Sequence, residues 1–286
     1  MEVDCEGCAG CCVDWRPLAD GDLDAGRRGR YRPLDDVYRF AVCSRDDVLA
    51  LLDAGYGDAL TARLFAAEEG PEVDGHTLAA VGDRPAFLVG LRKVPKPVAP
   101  LDADPAWLPA CAFLDPETLQ CRVHGDDVYP AECASFPGHE LALGVETECE
   151  RVERETDGQR LLDADPPADL EPVRFDPGAL GTKVFCYPDA DALSGTVARA
   201  AAGQLTAADR AELVAAAVAS APGSGTVDCD RVATARERVL AADSWVGRAA
   251  DDWASRAGED PPDPGLGAAV AAQRGAPSTP GWPLED

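Results

Sequence analysis

Four thiols, those of Cys5, Cys8, Cys11 and Cys12, lie within eight residues near the start of the chain. Thiolates at two-residue spacing can converge on one metal centre. Gly7 and Gly10 between them let the backbone wrap closely around an ion or a cluster. A second group follows about a hundred residues later, Cys111, Cys121 and Cys133, with Cys149 beyond it. Two chemistries suit this pattern. Cys5, Cys8 and Cys11 reproduce the three-cysteine run of bacterial-type 4Fe–4S ligation, which needs one more thiolate from elsewhere, and Cys133 can supply it. Alternatively, the eight cysteines build two four-thiolate zinc sites, each pairing one group with the other. The three-cysteine run favours an iron–sulfur cluster over zinc.

Other chemistry-bearing residues offer less. A thioredoxin-like redox pair at Cys5 and Cys8 lacks the preceding strand and the following helix. Cys43, Cys186 and Cys229 have no spacing partner; Cys186 reads as a small buried apolar residue, and Asp228 and Asp230 disfavour a thiolate at Cys229. His124 reads as a surface or hydrogen-bonded histidine, and His76 and His139 carry no pattern. Asp115, Glu117, Asp126 and Asp127 read as a solvated acidic face rather than a hard-cation site. There is no P-loop, nucleotide fingerprint or serine elbow, so no catalytic residue is assigned.

The elements that must position the thiols read as follows. Ser44 caps a helix that stops at Gly55, and a second helix is expected from about 58 to 69. Strands are expected at 76–81 and 86–91. The Pro-rich stretch 94–109 reads as a loop leading to Cys111. Tyr129 to Phe136 reads as a short helix with Pro130 in its first turn. Helices are expected at 188–202, at 206–221 behind a capping box of Thr206 and Asp209, at 229–242 and at 245–257. The expected organisation is a cluster-binding domain over 1–150, a linker over 151–183, a helical region over 184–257 and a disordered acidic, Pro-rich tail over 258–286. The expected fold class is therefore α+β and mostly helical, a small metal-organised cysteine-cluster domain with a C-terminal helical region.

Composition bounds the partners. The formal charge is −26, from 52 acidic and 26 basic side chains, and only Lys93, Lys96 and Lys183 are lysines. Such a surface repels nucleic acid and anionic lipid, and is the habit of proteins in salt-rich, halophilic cytoplasm. No run approaches the ~20 apolar residues of a membrane span. No signal peptide is visible, so the expected location is cytoplasmic. In that reducing compartment eleven cysteines are better read as metal ligands than as disulfides.

The cysteine pattern resembles the YkgJ family, the CxxCxxCC proteins described as zinc- or iron-chelating domains. The resemblance rests on Cys5-x2-Cys8-x2-Cys11-Cys12, the turn Cys111-x-Phe113-Leu114, Cys121, and the segment Pro130-x2-Cys133-x2-Phe136-Pro137. Cys149 falls where many members carry a further cysteine. The resemblance covers roughly residues 1–150. His124 stands where the family usually has an aromatic, and Tyr129 where it has arginine. It implies a cofactor class, an iron–sulfur cluster or zinc, and no reaction. The expected role is electron transfer, or service as an accessory to a redox or modification enzyme through an unknown protein partner. The alternative is a structural zinc module that mediates protein–protein contact.

Overall fold

The structure is a computed structural model, and it describes residues 2–3, 5–19, 31–156, 162–163, 165–170 and 179–282. The chain forms two compact units that alternate along the sequence. One comprises Met1–Leu23, Lys93–Val173 and Trp245–Asp286, and the other Asp24–Arg92 and Arg174–Ser244. The expected division is sequential, with borders at 150, 183 and 257.

The second unit is built on an antiparallel sheet. Its strands run in the order Phe185–Cys186, Arg84–Leu91, Leu60–Ala66, Arg32–Pro33, and Ala80–Val81 also pairs with Arg84–Leu91. Leu60 pairs with Leu91, Ala62 with Val89 and Leu64 with Phe87, and all six side chains are buried. The helix expected over 58–69 is thus a strand. Leu60 and Leu64 share a face in either conformation. The buried Ala62 between them follows the two-residue period of a sheet. Gly90 permits a close crossing here: a Cβ on it would lie 2.2 Å from the Ala41 carbonyl oxygen. Cys43 and Cys186 are buried in this unit, whereas Cys229 is exposed at the start of helix Cys229–Leu240.

Helix Arg45–Asp53 begins at Ser44 with a full capping box to Asp47. Helix Ala207–Ala219 begins at Thr206 with a capping box to Asp209. Asp209 is buried and accepts further hydrogen bonds from Thr196 Oγ1 and from Arg199 Nε and Nη2 at 2.6–3.0 Å. The Arg199 guanidinium leads these contacts in holding the carboxyl well below the usual aspartate range. Stabilisation from a depressed carboxyl is complete above its unfolded pKa of about 4 and fades as acid protonates the folded form. Asp209→Ala is therefore expected to cost about 1–2 kcal/mol at neutral pH, limited because Arg199 is 41% exposed. Urea unfolding at pH 7 and pH 3 checks this: the gap between wild type and variant should narrow in acid. A constant gap would contradict it.

The first unit holds both cysteine groups. Strands Lys93–Val98 and Ala106–Cys111 form a hairpin, pairing Lys93 with Cys111 and Val98 with Ala106. This replaces the expected Pro-rich loop. Pro95, Pro97 and Pro109 all sit at alternate pairs of the ladder, so their missing N–H groups fall on the outer sides of the two strands. Asp14 N–H donates to the Pro109 carbonyl at 2.8 Å, which lays the first cysteine segment along this edge. Shorter helices follow at Ala131–Ser135, Gly138–Ala142 and Glu148–Thr156. The last of these opens the expected linker; residues 157–161, 164 and 171–178 of that linker lie outside the described residues.

Helix Trp245–Arg256 packs against helix Pro264–Gln273, which lies in the stretch expected to be disordered. Asp263 caps the second helix by accepting from Leu266 N–H, and Pro264 occupies its first turn. Trp253 Nε1 donates to the Gly267 carbonyl at 3.1 Å. Further on, Trp282 Nε1 donates to the Thr118 carbonyl and Gly281 N–H to Gln120 Oε1, each at 3.0 Å. Residues 283–286 of the expected tail lie outside the described residues.

The expected fold class does not hold. Antiparallel strands frame both units, and the cysteine-bearing unit is a hairpin with its own tryptophan and leucine core. Among the described residues, no three His, Cys, Asp or Glu side chains are arranged as a group that could hold a metal ion. A small domain organised by metal alone is thereby excluded as the architecture. No described helix is long and apolar enough to cross a membrane.

Candidate functional site

The first cysteine segment is a chain of tight turns. Cys8 N–H donates to the Cys5 carbonyl at 3.2 Å and Cys12 N–H to the Ala9 carbonyl at 2.8 Å. Gly7 takes the left-handed conformation this winding needs, with φ +69°. Gly10 N–H points at Cys8 Sγ, 3.4 Å away. The segment then straightens, and Val13 bridges Ala110 at the free edge of the hairpin.

That bridge joins the two cysteine groups. Cys111 N–H donates to the Cys12 carbonyl at 2.8 Å. Cys12 and Cys111 are therefore opposite each other, and directly opposed residues share a face with Cβ atoms about 4.5–5.5 Å apart. Cys12 Sγ also lies 3.7 Å from Cys11 Sγ. Lys93 opposes Cys111 from the other side, so Cys12, Cys111 and Lys93 form a row across three strands.

A tight hairpin brings in Cys121. Asp115 N–H donates to the Gln120 carbonyl, Arg122 N–H to the Phe113 carbonyl, and Leu114 bridges Cys121. Cys133 follows on helix Ala131–Ser135, and its carbonyl accepts from the Tyr129 hydroxyl at 3.3 Å. The Tyr129 ring packs on His124, which is exposed, as a surface histidine should be. Cys149 is buried on helix Glu148–Thr156, whose start is capped by Thr147 and Glu150. That helix meets the first segment closely: a Cβ on Gly10 would lie 2.8 Å from Val152 Cγ2. Trp15 Nε1 fixes the contact by donating to the buried Glu148 carboxylate at 2.8 Å.

The eight expected cysteines thus all lie in one unit, in the segments just described. Cys5 is exposed, Cys8, Cys11, Cys12, Cys121 and Cys133 are half-buried, and Cys111 and Cys149 are buried. Trp15 and Phe113 are buried as an apolar backing, and Phe136 is half-buried. Of the acidic residues read as a solvated face, Glu117, Asp126 and Asp127 are exposed. Asp115 departs from that reading: it is buried against Arg122.

The electrostatics of the thiols are opposed in sign. Burial pushes Cys8 and Cys121 up to about 12, with repulsion from neighbouring cysteines adding to it. Burial also raises Cys149, aided by Cys11, Cys5 and Cys8. Cys12 is raised by its hydrogen bonds to Cys11 and Cys111. Cys111 goes the other way, down to about 6, because the Cys12 thiol donates to it and Lys96 and Lys93 lie close. Lys96 is fully buried; its Nζ donates to the Ala112 and Leu114 carbonyls at 2.9 and 2.5 Å, 4.1 Å above the Trp253 ring. Sequence reasoning missed Lys93, Lys96 and Glu148 as parts of this site. The available signal was that two of the three lysines in the chain stand within one short stretch.

The thiols are soft donors by type, although no three of them stand as a metal-holding group among the described residues. Buried thiols that resist ionisation beside one another are relieved when a metal replaces their protons. Sulfurs at ~2.3 Å from a tetrahedral zinc stand about 3.8 Å apart, close to the 3.7 Å between Cys11 and Cys12.

The family described as one of unknown function, DUF7531, matches residues 1–283, and the chain belongs to it. No curated protein and no solved structure matches the chain.

Proposed function

We propose that this protein holds a thiolate-bound metal cofactor, an iron–sulfur cluster, and acts in electron transfer or as an accessory to a redox or modification enzyme. The observation that carries this is the backbone bond from Cys111 to Cys12, which sets thiols from two distant cysteine groups against one another. The likeness of the cysteine spacing to the YkgJ proteins supports the same cofactor class. The residues offered to the metal are Cys5, Cys8, Cys11, Cys12, Cys111, Cys121, Cys133 and Cys149. A bound cluster would supply one-electron chemistry. The chain would supply the apolar backing of Trp15 and Phe113 and the buried amines of Lys93 and Lys96 near the thiolates. The exposed Cys5 supports the redox reading, since an electron partner must approach an open edge. A structural zinc site would instead close all its ligand positions.

The test is anaerobic purification followed by visible absorption and by iron, zinc and sulfide analysis. A brown protein with acid-labile sulfide, bleached on reduction, is expected. A colourless zinc protein would replace the redox reading by the structural one, and a chain without metal would end both.

A further inference from the structure

We infer that Cys11 and Cys12 are a redox-active pair of adjacent thiols, which a low-molecular-weight disulfide oxidises to an eight-membered disulfide ring.

The geometry sets this pair apart. In an extended strand, adjacent side chains point to opposite faces. Here the two sulfurs lie 3.7 Å apart, so the side chains turn to the same side. A tight turn brings this about: the Ala9 carbonyl accepts from the Cys12 and Val13 N–H groups at 2.8 and 2.9 Å. The turn holds the buried Ala9 in the left-handed region, at φ +49°, which a residue with a Cβ seldom adopts. Strained residues of this kind persist where their surroundings hold them, and they gather at functional sites. Both thiols are half-buried, within reach of a small reagent.

Cys111 is the rival partner for Cys12, and it is less well placed. Its N–H donates to the Cys12 carbonyl, which makes the two a hydrogen-bonded pair, the wider kind, with Cβ atoms toward the upper end of about 4.5–5.5 Å. A disulfide needs Cβ atoms about 3.5–4.5 Å apart.

The oxidation is a double exchange. One thiolate of the pair attacks a sulfur of the reagent, whose S–S bond breaks. Half of the reagent leaves as a thiol, carrying the proton that the attacking group gave up, and half remains in a mixed disulfide. The neighbouring thiol then attacks the protein sulfur of that mixed disulfide. The Cys11–Cys12 bond forms, and the second half leaves as a thiol with the second proton. Two electrons pass from the protein to the reagent. Adjacent residues have Cα atoms about 3.8 Å apart, below the ~4.4 Å at which ordinary disulfides begin, so the ring is strained and readily reduced. Such bonds act as switches rather than as staples. Oxidation also withdraws two sulfurs from the metal ligands, a consequence that alone rests on the metal reading above.

The experiment equilibrates the full-length chain, with a chelator present, in anaerobic mixtures of reduced and oxidised glutathione. The remaining thiols are then alkylated and mapped by tandem mass spectrometry. In wild type the fragment with Cys11 and Cys12 should lose 2 Da and take neither alkyl group nor glutathione at these two residues. Excess reduced glutathione should reverse this. Cys12→Ser should stop at the first step, with one glutathione retained on Cys11. Three results would overturn the inference: glutathione retained on Cys11 in wild type, a disulfide joining either thiol to Cys8 or Cys111, or alkylation of both thiols after oxidised glutathione alone. Each is read on the chelated chain, so the dithiol and metal readings fail separately.

Discussion

Arg122→Met should lower the stability of the cysteine-bearing unit by about 3–5 kcal/mol, the loss typical when one partner of a buried ion pair is removed. Both side chains of the pair are almost inaccessible, at 5% for Arg122 and 7% for Asp115. Arg122 Nη2 contacts Asp115 Oδ2, and Nη1 donates to the Pro277 carbonyl at 2.5 Å. The guanidinium also stands 5.9 Å from the Trp245 ring. Asp115 holds the turn between Cys111 and Cys121 by accepting from the Glu117 and Thr118 N–H groups at 2.9 and 3.0 Å. Methionine would fill much of the volume but leave a carboxylate stranded in an apolar setting. That stranding, rather than the attraction lost, sets the size of the effect. The double variant Arg122→Met/Asp115→Asn should therefore lose less than the sum of the two single variants. Guanidinium unfolding of all four proteins measures the coupling. A single-variant loss below about 1 kcal/mol would show the pair to be effectively solvated.

The parts legible in the sequence were those written locally. Ser44 with Asp47 and Thr206 with Asp209 are capping boxes three residues long, and both form as their spacing implies. Pro130 stands at the start of helix Ala131–Ser135 for an equally local reason. Failures occurred where distant partners decide. The strand Leu60–Ala66 carries apolar residues four apart, a helical spacing, and becomes a strand because Arg84–Leu91 offers it an edge. The hairpin beside Cys111 was hidden by its prolines, whose placement makes sense only once the outer edges are known. Helix Pro264–Gln273 was lost in a stretch of Gly, Pro and acid, although Asp263 and Pro264 mark its start. The candidate thiols were all named from spacing, yet spacing could not show that Cys12 opposes Cys111. Lys96 was invisible as a site residue because its burial depends on Trp253, more than a hundred residues away.

The second large effect concerns the thiols themselves. Cys12→Ser and Cys111→Ser should each strip the metal from the centre they share, because a serine hydroxyl does not replace a thiolate in a sulfur set. Cys229→Ser should keep the wild-type content, since Cys229 is exposed and belongs to the other unit. If the two groups build one centre between them, the double variant Cys12→Ser/Cys111→Ser loses no more than either single variant. The deciding measurement is metal per chain for wild type, both single variants, the double variant and Cys229→Ser, all purified anaerobically. Equal and non-additive losses at Cys12 and Cys111, with Cys229→Ser unchanged, are the expected result. Full metal retention in either single variant, or losses that add in the double, would contradict a centre shared by the two cysteine groups.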